Sequence, residues 1–357
     1  MSTFVSVIFA IFLFSFLIFV HELGHFLTAK AFKVRVNEFS MFMGPAIFKK
    51  QIGETLYALR CIPIGGYCAM EGEDVDTDDP RSFQKAAWWK RLIILVAGAA
   101  MNFIAGLVLF AIVFMPMKQM GLPVIEGFTE ESLVCGSDGL QVGDEILKID
   151  GEKLYVVNDF TTIIALNGGD VHDIEVLRNG EKLLLDDFLL QSYETTDEAG
   201  NQVQKYGINF TQITPDFMDK LQYVWNFSLD NIRNVRMSLQ MLFTGKAGLK
   251  DMSGAVGIVA IMSDAATESE TWKDAVITMV YFCGFLAVNL AVMNLLPIPA
   301  LDGGRVVALL LTTAIQAITK KKIDPKYEGY IHAAGMILLL ALMALITFKD
   351  IFTIFKR

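Results

Sequence analysis

Four long apolar stretches stand out in the pattern of hydrophobic and polar positions along the chain. They cover residues 3–20, 92–115, 275–296 and 331–348. Each approaches the roughly 20 residues that an α-helix needs to cross the hydrocarbon core of a bilayer. Small residues that let membrane helices approach closely recur in the last three stretches, at Gly98, Gly106, Gly284 and Gly335. The pattern therefore predicts a polytopic α-helical membrane protein with four transmembrane helices.

The sequence between these stretches has a different character. Residues 145–149 read as a half-buried strand that ends in an Asp-Gly turn at residues 150–151, and further Asn-Gly turns follow at residues 167–168 and 179–180. Two strand-like runs within residues 47–67 are separated by Gly53-Glu54, which favours a membrane-associated β-hairpin. The predicted segments are a first transmembrane helix (1–31), a β region (32–90), a second transmembrane helix (91–117), an α+β module (118–212), an amphipathic helix with a linker (213–272), a third transmembrane helix (273–300), a loop (301–330) and a fourth transmembrane helix with the tail (331–357).

Composition and charge refine this division. The chain is 54% hydrophobic and 19% charged with a net charge of −9, which argues against a nucleic-acid-binding protein. Residues 118–271 contain 11 Lys and Arg against 25 Asp and Glu, whereas the rest contains 19 against 14. Lys and Arg near helix ends favour the cytoplasmic side, and they cluster within residues 30–91. We therefore expect the acidic module to lie outside the cytoplasm and the protein to be multi-pass in a bacterial cytoplasmic membrane.

A His-Glu-Leu-Gly-His sequence at residues 21–25 directly follows the first apolar stretch. Positions i and i+4 of a helix share one face, so His21 and His25 can bind one zinc ion while Glu22 acts on a water molecule. The alternative is a polar helix end that reaches toward the membrane surface. Ionisable groups at membrane depth are costly and usually functional, which favours the metal site.

A catalytic zinc ion takes three protein ligands and leaves one position open. The stronger candidate for the third ligand is Asp302, which follows an apolar run broken by Pro297 and Pro299. Two glycines follow Asp302, and we expect them to permit a tight turn. His332 near the start of the fourth stretch remains possible, whereas His172 falls in the outward module. A simple turn with Asp302 as an N-cap would explain the prolines, but it would not explain Asn294 inside the apolar run.

Together, the His-Glu-x-x-His motif and Asn-x-x-Pro-x-Pro-x-Leu-Asp-Gly at residues 294–303 resemble the site-2 protease family of intramembrane zinc metalloproteases. Residues 60–67, Ala97-Gly98 with Asn102, and residues 249–258 resemble further segments of its bacterial RseP-type branch. The resemblance implies that His21, His25 and Asp302 bind Zn²⁺, that Glu22 is the general base, and that Asn294 assists the transition state. It also implies proteolysis within single-span membrane proteins, such as anti-sigma factors already cleaved outside the membrane or remnant signal peptides.

Three expectations concern partners. The outward module resembles a single PDZ domain, whose groove would take a peptide by strand addition, although a spacer that binds nothing would have the same pattern. The hairpin could pair with an extended substrate or merely pack on the first helix, and we predict substrate contacts at Ile62, Ile64, Gly65, Gly66, Pro297 and Pro299. Residues 216–243 predict an amphipathic helix that lies either on the outer membrane surface or against the module. A catalytically inert membrane scaffold or a transporter remains the alternative function.

Overall fold

The computed structural model describes residues 2–73, 77–129, 132, 139–196, 202–246, 248, 252, 254–320 and 325–356. The chain divides into two compact units. We call Met1–Val113 with Ser238–Arg357 the helical unit, and Phe114–Met237 the inserted unit.

Along the chain, the elements of the inserted unit lie between those of the two segments of the helical unit. The helices are α1 (Thr3–Ala31), α2 (Trp88–Phe114), α3 (Asp159–Asn167), α4 (Phe217–Phe243), α5 (Ala255–Glu268), α6 (Trp272–Asn294), α7 (Asp302–Thr319) and α8 (Pro325–Lys356). The strands are β1 (Val36–Ile52), β2 (Thr55–Met70), β3 (Met120–Phe128), β4 (Glu145–Ile149), β5 (Glu152–Lys153), β6 (Val171–Arg178), β7 (Glu181–Leu189), β8 (Tyr193–Thr196), β9 (Gln202–Lys205) and β10 (Ile208–Ile213).

Four helices of the described chain, α1, α2, α6 and α8, are long and apolar enough to cross a membrane. The four predicted apolar helices are therefore present. The first helix continues past the apolar stretch, through residues 21–25 to Ala31. The continuation is stable because Leu23, Phe26 and Ala29 pack in a core of the helical unit with residues of β1, β2 and α2. The two histidines therefore lie within α1, inside the predicted bounds of 1–31.

Close helix packing in the helical unit depends on small residues. A Cβ atom at Gly106 of α2 would lie 2.6 Å from Val288 Cγ2 of α6, so the two helices touch there. The apolar residues of α1, α5 and α6 form a further core that includes Leu17, Met262 and Met279. At the far end of α8, Asp350 accepts hydrogen bonds from the backbone N–H groups of Gly254 and Gly257 at 2.8 and 3.0 Å. The start of α5 is thus capped by a carboxylate from another helix.

The predicted hairpin is present as β1 and β2. Ile52 pairs with Thr55 across a turn formed by Gly53 and Glu54, as the sequence predicted. The Glu54 carboxylate lies 3.0 Å from Lys30 Nζ at the end of α1. This ion pair and a second one with Arg81 lower the pKa of Glu54. The turn is therefore held beside the end of α1.

Both strands of the hairpin bend near their middle, β1 at Phe42 (φ 70°) and β2 at Gly65 (φ 74°). Because of these bends, residues 36–41 of β1 pair on one side with residues 66–70 of β2 and on the other side with residues 56–59. In the described part of the chain, residues 66–70 pair with residues 36–41 alone. They form an outer strand of a small bent sheet. No described strand pairs with its other edge, which we call the free edge, and within this strand the Cys68 backbone N–H donates a hydrogen bond to the Glu22 carboxylate.

Arg60 fixes the bend of β1. Its guanidinium donates hydrogen bonds to the Gly44 carbonyl at 2.6 Å, to Ser40 Oγ at 2.9 Å and to Glu38 Oε1 at 2.6 Å. One planar cation with several donors thus joins both sides of the bend.

The predicted loop 301–330 is wrong over most of its length, because Asp302–Thr319 is helical. Its apolar positions recur at helical spacing, with Val306 and Leu309 packed in the core of the helical unit. The two glycines after Asp302 also have a different role from the one expected. Neither adopts a positive φ, and a Cβ atom at Gly303 would lie 2.3 Å from the Leu295 carbonyl. They allow close approach of α7 to the preceding loop and do not form a tight turn.

The inserted unit is an α+β structure. Its main sheet has the order β10-β3-β4-β6-β7, and β5 pairs with β4. The sheet and α3 enclose an apolar core that includes Ile146, Ile149, Phe160 and Ile174. The predicted Asp-Gly turn follows β4, with positive φ at both Asp150 and Gly151.

The alternation of buried and exposed residues that a half-buried strand implies is broken once along residues 145–149. Ile146 and Ile149 are both buried although an alternating strand would place them on opposite faces. A register shift between Ile146 and Lys148 explains this, since a bulge reverses the side-chain pattern beyond it.

The predicted amphipathic helix is present as α4. Its buried face includes Val224, Phe227 and Arg233. Arg233 Nη2 lies 3.1 Å from Asp159 Oδ1 of α3, and both groups are buried. Within the inserted unit, α4 therefore acts as a packing helix, which was one of its two expected roles.

Candidate metal centre

Two imidazoles from α1 form one side of a compact polar cluster. His21 and His25 lie one helical turn apart, and their Nε2 atoms are 3.2 Å from each other. His25 is buried, and its Nδ1 lies 2.8 Å from the Ile94 carbonyl oxygen of α2. This hydrogen bond places the proton on Nδ1 and leaves Nε2 free as a ligand.

Asp302 from the first turn of α7 completes the cluster. Its Oδ2 lies 3.1 Å from His21 Nε2 and 3.3 Å from His25 Nε2. The residue that begins α7 as N-cap is Leu301, so Asp302 does not have the capping role considered above. Asp302 Oδ2 is buried, and apart from these contacts with the two imidazole nitrogens the described residues give it no hydrogen bond. A buried carboxylate oxygen of this kind requires a partner such as a cation.

The three donor atoms fit a tetrahedral zinc ion. Ligands at about 2.0–2.1 Å from zinc in tetrahedral geometry lie about 3.3 Å from one another. The three observed separations are 3.1, 3.2 and 3.3 Å. Two imidazoles and a carboxylate are also donors that zinc commonly takes, and three protein ligands leave one position open. His21, His25 and Asp302 could therefore hold a catalytic zinc ion.

The other two histidines considered for this site lie elsewhere. His332 accepts a hydrogen bond from the Ala300 backbone N–H at 3.2 Å and is near Arg305. It supports the loop before α7, where Ala300 has a positive φ of 90°. His172 is buried in the inserted unit, with Nδ1 2.8 Å from Asp150 Oδ2. The geometry thus selects Asp302 over His332.

Glu22 lies between the two histidines in the sequence and faces the outer strand of the bent sheet. A Cβ atom at Gly66 would lie 3.3 Å from Glu22 Cγ. Of the other predicted substrate-contacting residues, Ile62 is exposed on β2, and Pro297 and Pro299 are exposed on the loop before α7. The prediction for the Ile64 side chain falls outside the described part of the structure.

Two side-chain amides lie near Nδ1 of His21, the ring nitrogen that is not among the three candidate metal donors. Asn294 Nδ2, at the end of α6, and Asn102 Nδ2, on α2, each lie 3.4 Å from His21 Nδ1. From the sequence, Asn102 was identified only as part of the resemblance to the family, and no function was predicted for it. An amide inside an otherwise apolar membrane helix is the signal that could have indicated one.

Comparison with known proteins shows the family of the chain. The model of peptidase family M50 matches residues 9–342 of the chain. The chain belongs to peptidase family M50. A Clostridium perfringens protein, named as a candidate zinc metalloprotease, is 37% identical over 97% of this chain and 98% of its own length.

More distant M50 relatives carry more specific names. The zinc metalloprotease RasP of Shouchella clausii is 28% identical over 96% of this chain and 98% of its own. The regulator of sigma-W protease RasP of Bacillus subtilis is 26% identical over 98% of this chain and 99% of its own. The predicted membership of the site-2 protease family is thus confirmed. The chain is a multi-pass membrane protein and a zinc metalloendopeptidase.

Gly98 leaves space beside the two nitrogens that could hold a metal in this M50 peptidase. It lies on α2 opposite the two histidines, and a Cβ atom there would be 2.4 Å from His25 Nε2 and 2.8 Å from His21 Nε2. Neither nitrogen can ligate a metal with a methyl group that close, so this glycine serves close approach and not backbone bending.

We expect Gly98→Ala to lower zinc content and cleavage together. The added methyl group occupies the space between the two ligating nitrogens, so the zinc affinity should fall at least about 10-fold, as for disturbed ligand orientation. Zinc per protein after dialysis and cleavage rate are the measurements. Gly127→Ala is the matched control, because a Cβ atom at Gly127 meets no atom within 4 Å. Normal zinc binding by Gly98→Ala would contradict the placement of the metal.

Proposed function

We propose that this M50 peptidase hydrolyses peptide bonds within the transmembrane segments of single-span membrane proteins, with Zn²⁺ held by His21, His25 and Asp302. The observation that carries the proposal is the convergence of these three donors on a membrane-spanning helix. His21 lies 18 residues after the start of α1 at Thr3, which corresponds to about 27 Å along the helix axis. The hydrocarbon core is about 30 Å thick, so the site would open near its cytoplasmic boundary.

The residues of the chain divide the chemical work. When bound, zinc supplies Lewis acidity that polarises the scissile carbonyl and makes water more acidic. Glu22 takes a proton from the attacking water and then passes it to the leaving amine. The amide of Asn294 is available to hold the peptide or to stabilise the negative charge that develops on its oxygen. These roles are supported by the positions of Glu22 and Asn294 beside the two histidines and by the family resemblance.

The free edge of residues 66–70 supports a mode of substrate binding. A helical segment hides its carbonyls in internal hydrogen bonds, so it must unwind before hydrolysis. An unwound segment can add to the free edge of the sheet as a further strand. Gly66 lies against Glu22, so such a strand would run beside the general base. We assign Ile62, Ile64, Gly65 and Gly66 to this interaction, and Pro297 and Pro299 to contacts from the loop before Asp302.

We expect Gly66→Val to reduce cleavage without loss of zinc. A Cβ atom there would be 3.1 Å from the Ser40 carbonyl and 3.3 Å from Glu22 Cγ, so a larger side chain displaces the base and the strand edge. A displacement of about 1 Å can lower a rate about 100-fold. Ala46→Val also produces a valine, at an exposed position of β1, and should leave the rate unchanged. Full activity of the Gly66 variant would contradict strand addition.

The substrate class is suggested by one relative. The Bacillus subtilis protein is named a regulator of sigma-W protease. We propose substrates of the anti-sigma-factor type, already cleaved outside the membrane, with remnant signal peptides as a second set. A catalytically inert scaffold or a transporter would not require a base between two ligands and a third ligand from a distant helix.

We propose that the protein lies in a bacterial cytoplasmic membrane. The inserted unit would then be a single PDZ-like domain on the side away from the cytoplasm. Its α+β architecture and its excess of acidic residues support this proposal, as do the basic residues that flank the β1–β2 region. A groove beside its sheet would receive an extended peptide. The exposed apolar residues Ile47, Phe48 and Ile52 of the hairpin would contact lipid.

The experiment that tests the function uses purified full-length protein and a single-span substrate reconstituted together in lipid vesicles. Mass spectrometry of the products locates the cleaved bond. We expect cleavage inside the apolar segment and faster cleavage when helix-breaking residues are placed there. Cleavage confined to the soluble flanks of the substrate would contradict the proposal.

A further inference from the structure

Asn102 is a buried polar residue of α2 whose side chain is only partly satisfied. It is 1% exposed. Its Nδ2 lies 3.4 Å from His21 Nδ1, and its Oδ1 is buried without a hydrogen-bond partner in the described chain. An unpaired amide oxygen inside a membrane protein costs free energy, so this arrangement calls for an explanation.

The chemistry of a ligating histidine provides one. A neutral imidazole that binds a metal through Nε2 carries its proton on Nδ1 and therefore donates a hydrogen bond there. The amide of Asn102 can rotate by 180° about its Cβ–Cγ bond, which exchanges its oxygen and nitrogen without other movement. In that orientation Oδ1 accepts the hydrogen bond from His21 Nδ1. The rotation gives Asn102 Oδ1 a hydrogen-bond partner. It also removes the contact between two donors, Asn102 Nδ2 and the protonated His21 Nδ1.

Helix α2 would then support both histidines in the same way. The Ile94 carbonyl accepts from His25 Nδ1 at 2.8 Å, Gly98 leaves space for the metal, and Asn102 faces His21. These three positions are four residues apart and share one face of the helix. We infer that Asn102 is a positioning residue that accepts a hydrogen bond from His21 Nδ1, and that the partly exposed Asn294 is thereby left free for the substrate.

The inference rests on the proposed zinc ligands, and three variants of the full-length protein test it. Asn102→Leu keeps the shape but removes the acceptor, Asn102→Asp keeps an oxygen acceptor, and Asn294→Leu removes the second amide. Zinc affinity is measured by competition with a chelator, and the ligand geometry by the visible absorption of the Co²⁺-substituted protein. Helix content and elution volume show whether each variant is folded.

We expect Asn102→Leu to weaken zinc binding 10- to 100-fold, as is typical when the partner of a ligating histidine is lost, and to alter the Co²⁺ spectrum. Asn102→Asp should keep wild-type affinity, and Asn294→Leu should keep zinc while lowering the cleavage rate. If Asn102→Asp does not fold, Asn102→Ser supplies a hydroxyl acceptor in its place. Wild-type zinc affinity of Asn102→Leu, or equal losses in Asn102→Leu and the variant that retains an acceptor, would overturn the inference.

His21→Ala separates this result from a failure of the proposed site. If His21→Ala retains zinc with wild-type affinity, the proposed ligands are wrong, and the role of Asn102 falls with them. If His21→Ala loses zinc while Asn102→Leu keeps it, the ligands stand and only the positioning role is wrong.

Discussion

Replacement of Glu22 by Gln should abolish measurable proteolysis while the protein keeps its zinc. Glutamine has nearly the same shape as glutamate but cannot accept the proton of the attacking water. General bases typically contribute about 10²- to 10⁴-fold to a rate, so we expect a loss in that range. The three ligating atoms belong to other residues, so zinc per protein should stay at the wild-type level. Cleavage of a single-span substrate and metal analysis of the same samples are the measurements.

Glu54→Gln is the matched control for this prediction. Glu54 is a carboxylate at the hairpin turn that pairs with Lys30 and Arg81, and it does not belong to the metal centre. Its replacement should leave cleavage nearly unchanged. If zinc-loaded Glu22→Gln cleaves as fast as the wild type, Glu22 is not the general base.

Asp302→Ala should cause a much larger loss of bound zinc than His332→Ala. Its carboxylate is the only ligand that comes from outside α1, and removal leaves two imidazoles, too few for a catalytic zinc site. The loss of affinity should exceed the roughly 10- to 100-fold expected from a change outside the ligand set. Zinc content after dialysis against a chelator measures it, and cleavage should disappear in parallel.

His332→Ala provides the comparison, because His332 was the rival ligand in the sequence. It contacts the Ala300 backbone and lies near Arg305, so its loss should loosen the loop before α7 and change zinc affinity only a few-fold. A greater loss of zinc in His332→Ala than in Asp302→Ala would reverse the assignment.

Local periodicity made much of this protein predictable. Long apolar runs have few alternatives to membrane helices, and all four are present as α1, α2, α6 and α8. The spacing of His21 and His25 fixes their relative position as soon as the segment is helical. The Gly53-Glu54 turn and the Asp150-Gly151 turn were also readable, because their residue types suit tight turns.

Features set by long-range contacts were harder to predict. The sequence left Asp302 and His332 as alternatives, since only packing of α7 against the loop at residues 295–299 decides which one reaches α1. The first turn of α7 was expected to be a loop because Gly303 and Gly304 are usual in turns, whereas here they permit close contact. Gly98 and Asn102 are single residues in an apolar run. Their roles depend on which face of α2 is turned toward the histidines, and hydrophobicity alone does not reveal this.

The scarcity of charge in this chain agrees with the site. Only 19% of residues are charged, and ionisable groups are costly at membrane depth. His21, Glu22 and His25 are nevertheless placed within a helix that can span a membrane. The proposed zinc ion offsets that cost for the two histidines, because a metal ligand is no longer an unpaired polar group.

X-ray absorption at the zinc edge of the purified full-length protein tests the proposed metal centre most directly. Two imidazole nitrogens with oxygen ligands at about 2.0–2.2 Å and no sulfur are predicted, and the zinc signal itself should fall in Asp302→Ala. A sulfur ligand at about 2.3 Å, or a third imidazole, would contradict a zinc ion held by His21, His25 and Asp302.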